Sequence, residues 1–377
     1  MTAVDQNTRR RRGTGLLALD EDAAYPGYTL YAPLTGTGEV YLVDLHGEVV
    51  HQWNLPYRPG RHARILPNGN LAYNGVLPDQ EALFPMWHKY RGGVMQEITP
   101  EGTVVREHID PFQHHDAHHC GDGRILYAAL EPLTGERAAA VRGGVPGSEP
   151  VTADGPTVWA DTIKEVDADG KELWSWRVAD HLDRDAYPLH PDYSREHYPL
   201  INAVLPLADG NILASLRSAS AVIIISRETG EIVWRTEPGV VSQQHNPTEL
   251  PNGNILIFDN GVFRPHWDVP FSRVIEVERS SGKIAWEYHD PAREAFFAPF
   301  MGSAQRLPNG NTLICDSPAG RIFEVTADGY LCWEYVVPHF GGYREPEVGR
   351  IFPAQHNALF RAYRYGAEEL PWLPGRG

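Results

Sequence analysis

The chain has 377 residues and carries 49 acidic against 33 basic side chains, a formal net charge of −16. That balance excludes nucleic acid and an anionic membrane as main partners, so an anionic substrate would need arginine and histidine gathered locally. The 42% apolar content is that of a globular protein, no apolar run is long enough to span a bilayer, and three cysteines (Cys120, Cys315, Cys332) are not a disulfide framework. Buried thiols are expected at Cys315 and Cys332.

Residues 1–24 read as a loose N-terminal segment. Arg9 to Arg12 suggest a twin-arginine signal, but the apolar run after them, Leu16 to Leu19, is short and is ended by Asp20, Glu21 and Asp22. A cytoplasmic location is therefore expected. From Tyr28 onward one pattern repeats. Apolar runs flank an Asn-Gly or Asp-Gly turn in RHARILPNGNLAYNG (61–75), HHDAHHCGDGRILYAAL (114–130), INAVLPLADGNILASL (201–216), QQHNPTELPNGNILIFDNG (243–261) and GSAQRLPNGNTLICDS (302–317). Such turns are the strongest short-range hairpin signal. A second hairpin follows each, ending in tryptophan or an equivalent: VYLVDLHGEVVHQW (40–53), VMQEITPEGTVVREH (94–108), IKEVDADGKELWSW (163–176), IIISRETGEIVW (223–234), VIEVERSSGKIAW (274–286) and IFEVTADGYLCW (322–333).

Six units of four short strands predict an all-β, six-bladed β-propeller occupying residues 25–366. The first unit starts at Tyr28, in the second-strand position, so its inner strand must come from the C-terminus. AQHNALFRAY (354–363) resembles SQQHNPTEL and is expected to close the ring, leaving 367–377 as a surface tail. Insertions at 131–159 and 177–199 are expected to roof one mouth of the channel.

Inner strands line the channel, so equivalent positions converge. Counting back eight residues from the turn glycine gives His245 (from Gly253), His115 (Gly123), Asn202 (Gly210), Gly302 (Gly310) and Arg61, beside His62 (Gly69). Matching QHN to QHN adds His356. His118 reads as standing behind His115, and His119 as exposed. Asp116 either orients an imidazole or caps a turn. Arg217, at the end of the second strand of the fourth unit, suits an oxyanion because its planar fork gives two parallel hydrogen bonds; its structural alternative is an ion pair between blades. Asp259 and Asn260 read as turn and ladder residues. His197, from the loop, and Trp87, in an insertion, are candidate substrate contacts; Trp159, Tyr187 and Tyr198 could join Trp87 in an aromatic wall or simply pack their loops.

The QHN…FDNG, HHD (114–116) and SLR (215–217) motifs together resemble the arylsulfotransferase family over about residues 28–365. The resemblance implies a six-bladed propeller that moves sulfate from one phenolic ester to another phenol through a sulfohistidine, with no nucleotide sulfate donor. Carried over by motif, His245 matches the nucleophile, His115 the second channel histidine and Arg217 the sulfate-binding arginine. Leu200 stands where the family usually has a further histidine. The expected partner is a small aromatic substrate. A metal enzyme is the other reading, with Fe, Cu or Zn held by His115, His245, His356 and His62, and oxidation, hydrolysis or elimination as its chemistry. A non-catalytic scaffold is disfavoured, because its signal would lie on outer loops.

Overall fold

The computed structural model describes residues 13–265 and 269–373. It is a six-bladed propeller of four-stranded antiparallel sheets. Blade 1 runs from the inner strand Ala362–Tyr365 through Tyr28–Tyr31 and Glu39–Val43 to Val49–Asn54. Blades 2 to 6 begin on the inner strands Pro59–Ile65, Gln113–His119, Ile201–Pro206, His245–Glu249 and Ser303–Arg306. No helix among the described residues is long and apolar enough to cross a membrane.

The repeat has a physical basis at both ends of each blade. At the inner turn, Gly69, Gly123, Gly210, Gly253 and Gly310 all take left-handed φ of 81 to 89°, which an L side chain resists. The Asn or Asp before each glycine accepts a hydrogen bond from the N–H two residues on: Asn68, Asp122, Asp209, Asn252 and Asn309 all do so at 3.0–3.1 Å. At the rim, an indole N–H reaches a backbone carbonyl of the next blade. Trp53 donates to Thr99, Trp174 to Arg227, Trp234 to Arg279, Trp286 to Ala327, and Trp333 across the seam to Leu45, at 2.8–3.1 Å. Blade 2 has Arg106 and His108 instead.

The ring closes through the C-terminal strand, but on Ala362–Tyr365 rather than around His356. Val43 and Val277 stand at the same third-strand bulge, so Thr29, which pairs with Arg364, matches Ile255, which pairs with Glu249, and the position equivalent to His245 is Phe360, not His356. The QHN likeness is displaced by a loop. His356 lies upstream, bridged by its backbone to Gly341. The N-terminus is also part of the fold. Gly15–Leu19, expected in a loose segment, forms a fifth strand on the outer edge of blade 6. The twin-arginine reading falls on Arg9 to Arg12, outside the described residues. At the other end Leu370 is fully buried, and Trp372 packs edge-on against His51 and Trp53. Cys315 and Cys332 are buried free thiols.

Candidate active site

Four inner strands break register at the same place, next to the channel: between Pro59 and Ala63, at Tyr127/Ala128 opposite His115, between Ile201 and Ala203, and between His245 and Thr248. A bulge re-aims side chains. Non-glycine residues with left-handed φ gather here too, among them His115 (49°), Leu200 (64°) and Met301 (60°). Strain of this kind persists where the surroundings enforce it, and it collects at functional sites.

The three meet in a cavity of about 240 Å³ lined also by Arg61, Met86, Lys89, Tyr90, Arg217, His245, Phe300 and Phe352. Thus His245, His115 and Arg217 share one cavity. No carboxylate is among its lining residues, whereas three cations are. Arg217 makes no ion pair among the described residues, and its guanidinium lies 5.4 Å from the ring centroid of Tyr193, supplied by the 177–199 insertion. Tyr193 is anchored by a hydrogen bond to Gln243. Arg61 donates to the carbonyl of Lys89 at 2.7 Å.

His245 has a defined tautomer. Asn260 Nδ2 donates to the carbonyls of Ala298 and Met301, both at 2.7 Å, so its Oδ1 faces His245 Nδ1 at 2.7 Å and accepts that N–H. The lone pair is then on Nε2, which takes a long 3.2 Å contact from the Met301 N–H. Burial, then the positive charge of Arg217, pushes the imidazole pKa well below its ordinary value, so the ring is neutral. Asn260 is therefore more than the turn residue its sequence suggests.

His115 is backed by a relay. Its Nδ1 lies 2.8 Å from Nδ1 of His114, whose Nε2 is 2.9 Å from Asp161 Oδ1, off the line of a good hydrogen bond. His197 Nε2 donates to the same oxygen at 3.0 Å, and Ile201 N–H to Oδ2 at 3.0 Å. Tyr90 O–H reaches His197 Nδ1 at 3.2 Å. Burial alone would raise the Asp161 carboxyl, but His197 and His114 hold it at about 2. With an ionised Asp161 drawing the His114 proton to Nε2, His114 Nδ1 is an acceptor and the His115 proton sits on Nδ1. Its Nε2 lone pair is then free. Burial, then His114 and Arg61, keeps the His115 pKa well below its ordinary value. His114, Asp161 and His197 also have ligand-type atoms within 4.8 Å of one another. With two imidazoles crowding a single carboxylate oxygen, the group reads as a hydrogen-bonded anchor rather than a metal cage.

The remaining sequence candidates lie elsewhere. His197 is behind His115, not in the cavity. His62 is below it: Nε2 is 2.8 Å from Asp116, whose carboxylate also takes both terminal nitrogens of Arg361 at 2.9 and 3.0 Å. Burial, then Arg361, lowers the His62 pKa to about 4. Phe360 separates the two levels, its ring 6.1 and 6.2 Å from those of His115 and His245 and 5.9 Å from that of His62. The lower cavity, lined by His62, Arg64, Asp116, His118 and Arg361 among others, shares no lining residue with the upper one. Asn202 is fully buried and donates to the Gln244 carbonyl at 2.9 Å, a link between blades. Trp87 is fully buried behind Tyr90 with Phe84, and Trp159, Tyr187 and Tyr198 are buried too. His356 touches Tyr343 and Phe352 rather than the cavity. His119, expected to be exposed, is buried. The four imidazoles proposed as a metal set from sequence, His115, His245, His356 and His62, therefore do not converge.

Sequence reasoning missed Lys89, Tyr90 and Phe352, which come from unrepeated loops, and Phe360 and Arg361, which the corrected register puts level with His245 and Asn246.

The arylsulfotransferase (ASST) family matches residues 86–337, two thirds of the chain. The chain belongs to that family. No curated protein matches it. Among solved structures it is similar to a protein of unknown function from Bacteroides caccae, with a TM-score of 0.51 and 15% identity over 82% of this chain and 94% of that one. It is also similar to a catalytically inactive virginiamycin B lyase from Staphylococcus aureus solved with quinupristin (TM-score 0.46, 12% identity, 86% and 89% covered). A third is Kuenenia stuttgartiensis hydrazine synthase (TM-score 0.45, 14% identity, 85% and 80% covered). At these identities the likeness is one of fold.

Proposed function

We propose that the protein transfers a sulfuryl group from an aryl sulfate to an acceptor phenol through His245. The observation that carries this reading is a neutral imidazole, its Nε2 lone pair fixed by Asn260, in a cavity with three cations and no carboxylate. A sulfate monoester is a small anion on an aromatic ring. Arg61, Lys89 and Arg217 offset its charge against the negative field of the whole protein, and Phe300, Phe352 and Tyr90 offer apolar surface to the ring. The cavity is at the small end for ligand sites, suited to a single ring.

His245 Nε2 attacks sulfur in line, giving up its long contact with the Met301 N–H, which is then free for a sulfuryl oxygen. The proton stays on Nδ1, donated to Asn260 Oδ1 throughout, so attack needs no base. Arg217, with no competing carboxylate, holds sulfuryl oxygens. His115 lies across the Phe360 ring from His245, and its free Nε2 leaves a lone pair open to the cavity. Neither metal nor nucleotide donor enters this scheme.

The test is covalent. Incubation with nitrophenyl sulfate should add one sulfuryl mass to the intact protein, mapped to His245, with phenol release preceding acceptor binding in ping-pong kinetics. His245→Ala should carry no adduct. Arg217→Lys should slow adduct formation by about a hundredfold, since a point ammonium lacks the bidentate fork. Wild-type protein that stays unmodified would sink the reading.

A further inference from the structure

Sulfuryl transfer as read above leaves a proton unaccounted for. When the bond from sulfur to the aryl oxygen breaks, the departing phenolate must be protonated unless it is a stable anion. The cavity has few groups able to do this. His245 is bonded to sulfur at that moment, with its one proton, on Nδ1, donated to Asn260 Oδ1. His115 turns its Nδ1 proton to His114 and offers only a lone pair at Nε2. Tyr90 directs its hydroxyl to His197. Leu200, Met86, Met301, Phe300 and Phe352 have no labile side-chain proton. Arg61 and Arg217 are guanidinium groups, hydrogen-bond donors rather than proton shuttles.

Lys89 remains. It stands in the short helix Trp87–Tyr90, and its carbonyl is held by Arg61 at 2.7 Å. Its Nζ lies 4.2 Å from the ring centroid of Phe300 and 3.6 Å from that of Phe352. No carboxylate pairs with it among the described residues. The acids of the helix Pro346–Ile351, packed against this one, turn elsewhere: Glu345 binds Arg58, and Glu347 lies 4.0 Å from Arg350. The charged groups facing it are cationic, Arg61 from the inner strand of blade 2 and Arg217 from the end of the second strand of blade 4.

We propose that Lys89 is the general acid and base of this site, protonating the leaving phenolate and then deprotonating the acceptor phenol. This assignment rests on the sulfuryl-transfer reading. In the first displacement the His245 Nε2 pair forms the N–S bond. The S–O bond breaks with its pair going to the aryl oxygen, and that oxygen takes a proton from the Lys89 ammonium. Phenol leaves, and Lys89 remains as a neutral amine. In the second, the amine takes the acceptor hydroxyl proton as that oxygen bonds sulfur, and the N–S pair returns to Nε2. Protons and electrons balance without a co-reactant. Burial, then the charges of Arg61 and Arg217, lowers the Lys89 pKa to about 7. Near neutral pH both forms are then populated, as a shuttle requires, and the ammonium is a stronger acid than an ordinary phenol, whose pKa is about 10.

The experiment uses the full chain with Lys89→Met and Lys89→Arg, and a series of aryl sulfates from nitrophenyl to phenyl to methoxyphenyl. Adduct mass and phenol release are followed for each. The expected loss grows with leaving-group basicity, from roughly a few-fold for nitrophenyl sulfate to about a hundredfold or more for phenyl sulfate. Lys89→Arg should fail in parallel, because it keeps the charge but cannot give up the proton. A loss of equal size across the series, or rescue by arginine, would overturn the assignment and leave Lys89 as an electrostatic contact. Adduct formation in the wild type with such a flat profile sinks the Lys89 role alone. No adduct in the wild type sinks the transfer reading, and the Lys89 role with it.

Discussion

Asn260 commits both amide protons to backbone carbonyls, those of Ala298 and Met301, and so has only an acceptor left for His245. A neutral amide orients the ring and raises its pKa less than a carboxylate would, because it brings a hydrogen bond but no charge. Asn260→Asp should therefore raise the pKa of His245. The nucleophile is blocked when protonated, so the acid limb of the pH profile for adduct formation should move to higher pH. The two carbonyls would also lose their donors, at about 1–3 kcal/mol each, which a urea melt at pH 8 would read. An unmoved limb would mean that Asn260 does not set the charge of the ring. The FDNG motif hides this role. Strand register says that Asn260 follows the strand Ile255–Asp259, but the direction of its amide is decided by Ala298 and Met301, on a loop some forty residues on. Lys89 is hidden for a similar reason: its loop has no counterpart in other blades, so no repeat marks it.

The repeating hairpins are legible in sequence because their turns and rim tryptophans each satisfy a backbone requirement that recurs in five of the six blades. The closing strand is legible in kind but not in place. QHN at 355–357 copies QHN at 244–246 in letters, yet the chain makes a loop there and enters the sheet only at Ala362. What fixes the strand is Arg364, which is fully buried. It donates to Thr29 Oγ1 and the Tyr25 carbonyl, both at 2.7 Å, and lies 3.4 Å from Glu324 in blade 6. Arg364→Met should leave the Glu324 carboxylate buried without its cation. A loss of about 3–5 kcal/mol is expected, read as a lower urea midpoint together with aggregation from the opened edge. An unchanged midpoint would show that the seam does not depend on this pair.

Among the described residues ten imidazoles have their pKa pushed down, in each case by burial first, and six of them, those of His62, His114, His115, His118, His119 and His245, stand on inner strands. The folded protein refuses protons that the unfolded chain accepts below its histidine pKa of about 6.5. Stability should then fall as pH drops from about 6.5 towards 4, each ring contributing up to about 1.4 kcal/mol per pH unit. Asp161, held at about 2, adds its loss only below the ordinary carboxylate range, near pH 4. Urea midpoints measured from pH 7.5 to 5 should decline steeply, and a flat profile would contradict neutral buried rings. Phe360, fully buried between the upper and lower cavities, has a consequence of another kind. A propeller axis is often pictured as a tunnel, but here it is barred partway along. Under the proposed transfer, donor and acceptor both come to the upper chamber above Phe360, and so would take turns there. A group handed from one to the other must wait on the wall in between. The order of events is thus written into the architecture before any affinity is considered.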